Sequence, residues 1–275
     1  MLDFRRAVTR FAGVLARKPC GFLTTVSIRV FSRVYGVNME EAAEPDVGSY
    51  KTFQDFFCRD LKPGARPLSD ADLVCPVDGS CSQTGIMDGD LLVQAKTQRF
   101  RLDDLLGGDA DELATILSCG TFATLYLHPR AYHRVHMPCA GHLESMIYVP
   151  GKFYSVRPSK VEKVSNLFAE NERVVCVFRS DCGFKFCMVL VGATIVGSVE
   201  TTWAGVLSPA DAIVKTTYEP GEVYLEKGDE AARFRMGSTV ILVFETGSVA
   251  LSPALLPGAS VLLNSPLGSF CRAVA

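Results

Sequence analysis

Three short stretches, far apart in the chain, carry groups that can act on one another. Met236-Gly237-Ser238-Thr239 offers a hydroxyl directly after glycine. Pro76-Val77-Asp78-Gly79 offers a carboxylate, and Tyr132-His133-Arg134-Val135-His136-Met137-Pro138 offers two imidazoles. A serine hydroxyl can attack the carbonyl of the residue before it, exchanging the Gly237–Ser238 amide for an ester. That exchange is uphill unless the backbone is strained, and glycine accepts the required geometry. A histidine must take the hydroxyl proton. A carboxylate can orient that imidazole and stabilise its protonated form. If the ester eliminates, the serine becomes dehydroalanine at a new chain start, and hydrolytic loss of its nitrogen as ammonia leaves a pyruvoyl ketone. Such a ketone takes up an amine as a Schiff base and withdraws electrons from it, the part that pyridoxal phosphate plays elsewhere.

Each group also has a plainer reading. Asp78 lies in a Val-Asp-Gly turn, where aspartate is favoured for its own backbone bonding. The four histidines, His128, His133, His136 and His142, fall within fifteen positions. Pro129 and Pro138 bracket the middle pair and favour a loop, in which the two can share a side; in a strand they face opposite ways. His128, His133 and His136 are a conceivable ligand trio, but no carboxylate or thiolate stands at useful spacing, so no metal is expected. Ten cysteines form no CxxC pair and read as reduced thiols. Nucleophile-elbow, phosphate-loop, dinucleotide and HExxH signatures are all missing, which leaves ordinary hydrolase, kinase and dehydrogenase chemistry without support.

The elements that must position these groups are mostly short strands. Candidates are 84–87, 91–95, 122–127, 143–148, 173–178, 184–196, 198–203, 240–244 and 259–263, punctuated by Gly, Pro and Asp. Met188-Val189-Leu190-Val191 has no alternation and predicts a strand buried on both faces. The βαβ rhythm of a doubly wound sheet is missing. Helical pieces are expected at Leu102 to Leu106, Asp111 to Leu117 and Thr52 to Phe57, with an irregular loop at Lys62-Pro63-Gly64-Ala65-Arg66-Pro67. The expected class is α+β: an antiparallel, β-rich, sandwich-like core with N-terminal amphipathic helices.

With 48% hydrophobic and 21% charged residues, 275 residues are ample for a core, and a net charge of −2 gives no bulk attraction to nucleic acid. The charge is uneven. Residues 1–40 hold seven basic side chains against Asp3 and Glu40. Phe4, Val8, Phe11 and Leu15 share one helical face, and a second helix is expected from Leu23 to Tyr35. A basic, amphipathic head of this kind either packs on its own domain or lies on an anionic membrane surface. No window reaches the about 18 apolar residues of a spanning helix.

These stretches together resemble the phosphatidylserine decarboxylase family, in its bacterial membrane-associated form. The resemblance rests on Phe56-Phe57-Cys58-Arg59 with Leu61 to Pro67, the Asp78 turn, Tyr132 to Cys139, Asn166-Leu167-Phe168-Ala169 with Asn171-Glu172-Arg173, Val191 to Ser198, and Phe234 with Gly237-Ser238-Thr239. It covers the chain from about residue 45 onward. One departure is Met236, where the family usually has leucine, a change of little volume. The resemblance implies that Asp78, His136 and Ser238 form a self-cleaving triad. Cleavage between Gly237 and Ser238 would give a β chain (1–237) and an α chain (238–275) headed by the pyruvoyl group. His133 is implied in decarboxylation, by placing the carboxylate or reprotonating the carbanion. It further implies two regions, membrane-associating helices in 1–45 and a catalytic part in 46–275. The substrate would be phosphatidylserine, the product phosphatidylethanolamine, and the place the cytoplasmic side of the cell membrane, peripherally. The α and β chains would stay together, and a homodimer of such pairs fits the analogy. The competing readings are a pyruvoyl decarboxylase of a soluble amino acid and a non-enzymatic module of biotinyl-like fold, suggested by the turn and strand from Lys227 to Glu245.

Overall fold

The longest apolar runs become the middle of one antiparallel sheet in the computed structural model, which describes residues 13–96, 98–108, 111–193, 199–207, 210–234 and 238–271. Strand Ser238–Phe244 pairs with Thr121–Leu127 on one side and with Lys185–Val191 on the other. Outward on the first side lie Gly79–Ile86 and Ser260–Val261; outward on the second lie Arg173–Ser180, Gly141–Val149 and Val214–Thr217. Every residue of Ser238–Phe244 and of Thr121–Leu127 is buried. The sheet centre is therefore covered on both faces, as unalternating Val, Ile and Leu require.

Smaller antiparallel sheets complete an α+β fold, as expected from the sequence. Arg134–His136 pairs with Glu230–Phe234, which continues to Val199–Thr201 and Gly205–Val206. The histidine stretch is thus a short strand, not the loop that its bracketing prolines favour. Backbone pairing with Glu230, Ala232 and Arg233 outweighs the local preference. Pro266–Phe270 joins Leu73–Val74 to Val249–Leu251. The strand expected over 184–196 ends at Val191, and residues 194–198 lie outside the described residues.

Two helices matter for the site. Phe53–Phe57 begins at Thr52, whose hydroxyl accepts from the Asp55 amide while the Asp55 carboxylate accepts from the Thr52 amide. That reciprocal cap satisfies two donors a helix start leaves free. Phe22–Tyr35 ends at Gly36 in the left-handed conformation, φ 70°, which glycine adopts without strain. Ile28 and Phe31 turn inward on Phe53, Phe56 and Phe57. Phe22, Leu23, Val30 and Val34 are exposed. At 100° per residue these four occupy a sector of about 120°, with Arg29 just outside it and Arg33 within it at the Phe22 edge. The helix is apolar on two sides, and among the described residues only one is covered. The first expected helix falls mostly on residues 1–12, outside the described residues.

Candidate active site

Asp78 is placed by a close approach of two strands. A side chain at Gly79 would put its Cβ 2.1 Å from the Tyr126 carbonyl oxygen, so only glycine lets the strand start there. Asp78 is buried, 5% exposed as a residue, and its carboxylate receives Arg66 through two nitrogens, Nε at 2.9 Å to Oδ1 and Nη2 at 2.7 Å to Oδ2. The Leu263 amide donates to Oδ1 at 2.8 Å. Arg66 Nη2 also donates to Glu41 at 2.7 Å. The Asp78 contact pushes the Arg66 guanidinium further above its ordinary range, so Arg66 is a fixed cation. The proline-bounded loop from Lys62 to Pro67 exists to deliver it.

The two histidines are held alike at one nitrogen and differently at the other. His133 Nδ1 lies 2.8 Å from the Ala131 carbonyl, and His136 Nδ1 lies 2.8 Å from the Gly228 carbonyl. A carbonyl can only accept, so in each neutral ring Nδ1 carries the proton and Nε2 the lone pair. His136 Nε2 accepts from the Tyr132 hydroxyl at 3.2 Å. His133 Nε2 is buried and has no partner among the described residues. The His133 ring is 0% exposed and lies on the Phe57 ring, with centroids 4.0 Å apart. Burial lowers both imidazoles, His133 to about 3. His133 is therefore neutral throughout the physiological range.

Ser238 opens the central strand opposite Leu127. It is 0% exposed, and its hydroxyl has no partner among the described residues. A buried hydroxyl without a hydrogen bond is costly, about 1–3 kcal/mol, and such orphans mark chemistry or stored strain. The approach to it is anchored upstream. The Phe234 amide donates to the His133 carbonyl at 2.9 Å, and Cys58 Sγ donates to the Phe234 carbonyl at 3.3 Å. Met236 and Gly237, hence the expected cleavage bond, lie outside the described residues.

Leu127 and Ser238 thus sit on paired strands, and Asp78 lies just before the next strand, Gly79–Ile86. Neighbours lie about 4.8 Å apart, which separates the Asp78 and Ser238 backbones by roughly 10 Å. Among the described residues no hydrogen bond joins Asp78 to a histidine or a histidine to Ser238. What is gathered here is a fixed carboxylate, two imidazoles in one tautomer, and an unpartnered hydroxyl. The trio His128, His133 and His136 is dispersed onto separate partners, His128 Nε2 bonding Ser80 Oγ at 3.1 Å. His142 packs on Tyr224 instead.

Comparison with known proteins bears on the whole chain. The profile of a family described as Phosphatidylserine decarboxylase matches residues 53–269. The chain is 49% identical over 267 residues to the phosphatidylserine decarboxylase proenzyme of Dechloromonas aromatica, covering 96% of this chain and 94% of that one. It is 49% identical over 265 residues to that of Chromobacterium violaceum, covering 96% and 94%. It is 50% identical over 265 residues to that of Albidiferax ferrireducens, covering 96% and 93%. The chain belongs to the phosphatidylserine decarboxylase family. It is accordingly a decarboxylase made as a proenzyme. Neither the soluble amino acid reading nor the biotinyl-like module is favoured. Among the described residues of this decarboxylase no helix is long and apolar enough to cross a membrane.

The structure adds residues that the sequence did not assign. Arg66 holds Asp78, Tyr132 caps His136, and Gly228 and Ala131 set the tautomers. Arg66 and Tyr132 lie inside motifs already singled out, but nothing local says which side chain meets which. Burial of His133 also has a pH consequence. Its folded value lies below the ordinary 6.5, so the unfolded chain binds the extra proton, and its stabilisation is complete above about pH 6.5 and lost as pH falls toward 3. Chemical denaturation of the decarboxylase at pH 7 and pH 5 should show a loss of about 2 kcal/mol from this residue. His133→Gln should flatten that dependence; an unchanged slope would show that His133 is solvated.

Proposed function

We propose that this decarboxylase cleaves its own chain between Gly237 and Ser238 and converts Ser238 into a pyruvoyl group, with which it turns phosphatidylserine into phosphatidylethanolamine and carbon dioxide at a membrane surface. The observation that carries the reading is the fully buried Ser238 hydroxyl, without a hydrogen-bond partner among the described residues, at the first position of the central strand. In family members named proenzymes, a residue so placed fits one internal reaction better than turnover of solvent-borne substrate. The pyruvoyl ketone supplies an electron sink for loss of the substrate's carboxylate. Asp78 and His136 assist the self-cleavage. His136 is the less buried imidazole, and Tyr132 and Gly228 fix its orientation. His133, kept neutral by burial, accepts a hydrogen bond and places reacting groups instead of supplying a proton near neutrality.

The pairing of Ser238–Phe244 on both edges supports the two-chain product. After cleavage the α chain 238–275 keeps a strand at the sheet centre and further strands at 260–261 and 266–270. A β chain of 1–237 and this α chain remain one folded body, and pairs of such bodies make a homodimer. Residues 1–45 act as the membrane-associating part and 46–275 as the catalytic part, on the cytoplasmic face of the cell membrane.

The outward side of the Phe22–Tyr35 helix supports membrane attachment. Phe22 is 76% exposed and Val34 70%, and Arg29 and Arg33 flank them toward anionic headgroups. The purified protein should release labelled carbon dioxide from phosphatidylserine vesicles and not from free serine. Phe22→Asp with Val34→Asp should cut vesicle flotation at least about tenfold, since each buried apolar side chain contributes about 1.5–3 kcal/mol. Turnover of short-chain, monomeric phosphatidylserine should survive in that variant. Flotation equal to wild type would remove the helix from the membrane contact.

A further inference from the structure

A cleft of about 450 Å³ opens beside Asp78, floored by Gly79, Ser80 and His128 and walled by Arg59, Arg66 and Arg130. Its rim reaches Gly36, the residue that ends the Phe22–Tyr35 helix. The floor adjoins the site directly, because His128 follows Leu127, the strand partner of Ser238.

The charges in this cleft do not balance. Of its three arginines, Arg66 is matched by Asp78 and Glu41, the only carboxylates in the lining among the described residues. Arg59 is 5% exposed and makes no ion pair among the described residues. Its Nη2 donates to the Arg130 carbonyl at 3.2 Å, its guanidinium lies 5.4 Å from the Phe56 ring, and its Nε is buried without a hydrogen-bond partner among the described residues. Burial lowers its proton affinity, and Asp78 and Glu41 offset this only from a distance. Arg130 is exposed at the mouth and likewise lacks an ion pair among the described residues. Buried cations in proteins are paired or hydrogen-bonded; one that lines a cleft without an ion pair awaits an anion.

We infer that Arg59, with Arg130 at the mouth, is the specificity-determining anion site that binds the phosphodiester of the lipid headgroup. This rests on the proposed substrate and extends it to named residues. A singly charged diester offers acceptors to the planar fork of a guanidinium, which an ammonium matches less well. The placement has a further logic. A diester held at Arg59 leaves the serine moiety to reach inward toward the Ser238 position. The glycerol then points outward past Gly36, toward the helix whose apolar side is uncovered.

The test uses the cleaved enzyme and monomeric dihexanoyl phosphatidylserine, which takes membrane binding out of the comparison. Arg59→Met and Arg130→Gln should each still yield two chains, and each should raise KM at least about tenfold with much less change in kcat, the signature of lost substrate binding. Arg59→Lys should recover only part of the loss. Glycerophosphoethanolamine, which has the diester and no carboxylate, should inhibit wild type and lose potency in step with KM in the variants. Arg130 is exposed, so its substitution reports on binding even if Arg59→Met does not fold. Unchanged KM in cleaved, active variants overturns the assignment. So does loss of inhibition by L-serine instead of by glycerophosphoethanolamine, which would make this the carboxylate's place. Inorganic phosphate inhibiting as strongly as the diester, with equal dependence on Arg59, also overturns it in favour of a free-phosphate site. Failure of wild type to cleave or decarboxylate would strike the function itself, a separate outcome.

Discussion

Ser238→Ala should give a single uncleaved chain of 29.9 kDa with no detectable decarboxylation. The wild-type protein should instead run as two fragments under denaturing conditions, the smaller of about 4 kDa by proportion to 29.9 kDa for 275 residues. The effect is total because the one hydroxyl has two uses in succession. In the proposed reaction it attacks the Gly237 carbonyl, and what remains of the residue becomes the ketone that turnover needs. Removing a nucleophile that also becomes the electron sink leaves nothing for the binding site to assist. Folding should survive, since alanine at a fully buried position without a hydrogen-bond partner among the described residues removes an unsatisfied group. Intact mass reads both steps, through the cleaved length and the lost serine nitrogen. Two chains from Ser238→Ala would refute self-cleavage at this residue, and an unblocked serine at the start of the small chain would refute the pyruvoyl group.

Asp78→Ala should lose self-cleavage and also destabilise the fold. Asp78 and Arg66 form a two-nitrogen ion pair with side-chain exposures of 8% and 12%. Removing one member of such a pair strands the other charge, at about 3–5 kcal/mol. Glu41 still touches Arg66, and its 40% exposure makes it a weaker partner, so the lower end applies. The melting temperature should fall by roughly 6–12 °C, at about 2–4 °C per kcal/mol for a chain of this size. The Leu263 amide loses its acceptor as well. Asp78→Asn separates the two roles, because it keeps an oxygen for Leu263 and the local shape. It should recover much of the stability and still process slowly or not at all. Asp78→Ala combined with Arg66→Met should regain stability relative to Asp78→Ala alone, since no stranded charge remains. If Asp78→Asn processes at the wild-type rate, the carboxylate is a structural anchor and nothing more.

The sequence alone determined the kinds of reactive group and most of the framework. Gly237-Ser238, the Asp78 turn and the paired histidines were legible because their chemistry is local to a few residues. The strands around 122–127, 173–178 and 240–244 were legible because unalternating apolar runs can be satisfied only by burial on both faces. The helix Phe22–Tyr35 was legible from its spacing to within one residue. Short strands such as Arg134–His136 and Val249–Leu251 were not, since their pairing partners, and not their own residues, make them extended. The order within the site was also beyond the sequence. Arg66 reaches Asp78 from twelve residues away, but Leu263 reaches it from 185. No periodicity encodes a contact at such separation. It exists only once the sheet has closed, and the same closure excludes water. Water exclusion is what sets His133 apart from His136, leaves the Ser238 hydroxyl without a partner among the described residues, and strands Arg59 beside a cleft. Residue types fixed which reactions were conceivable; burial, a property of the whole fold, decided which of those residues were left unsatisfied among the described ones.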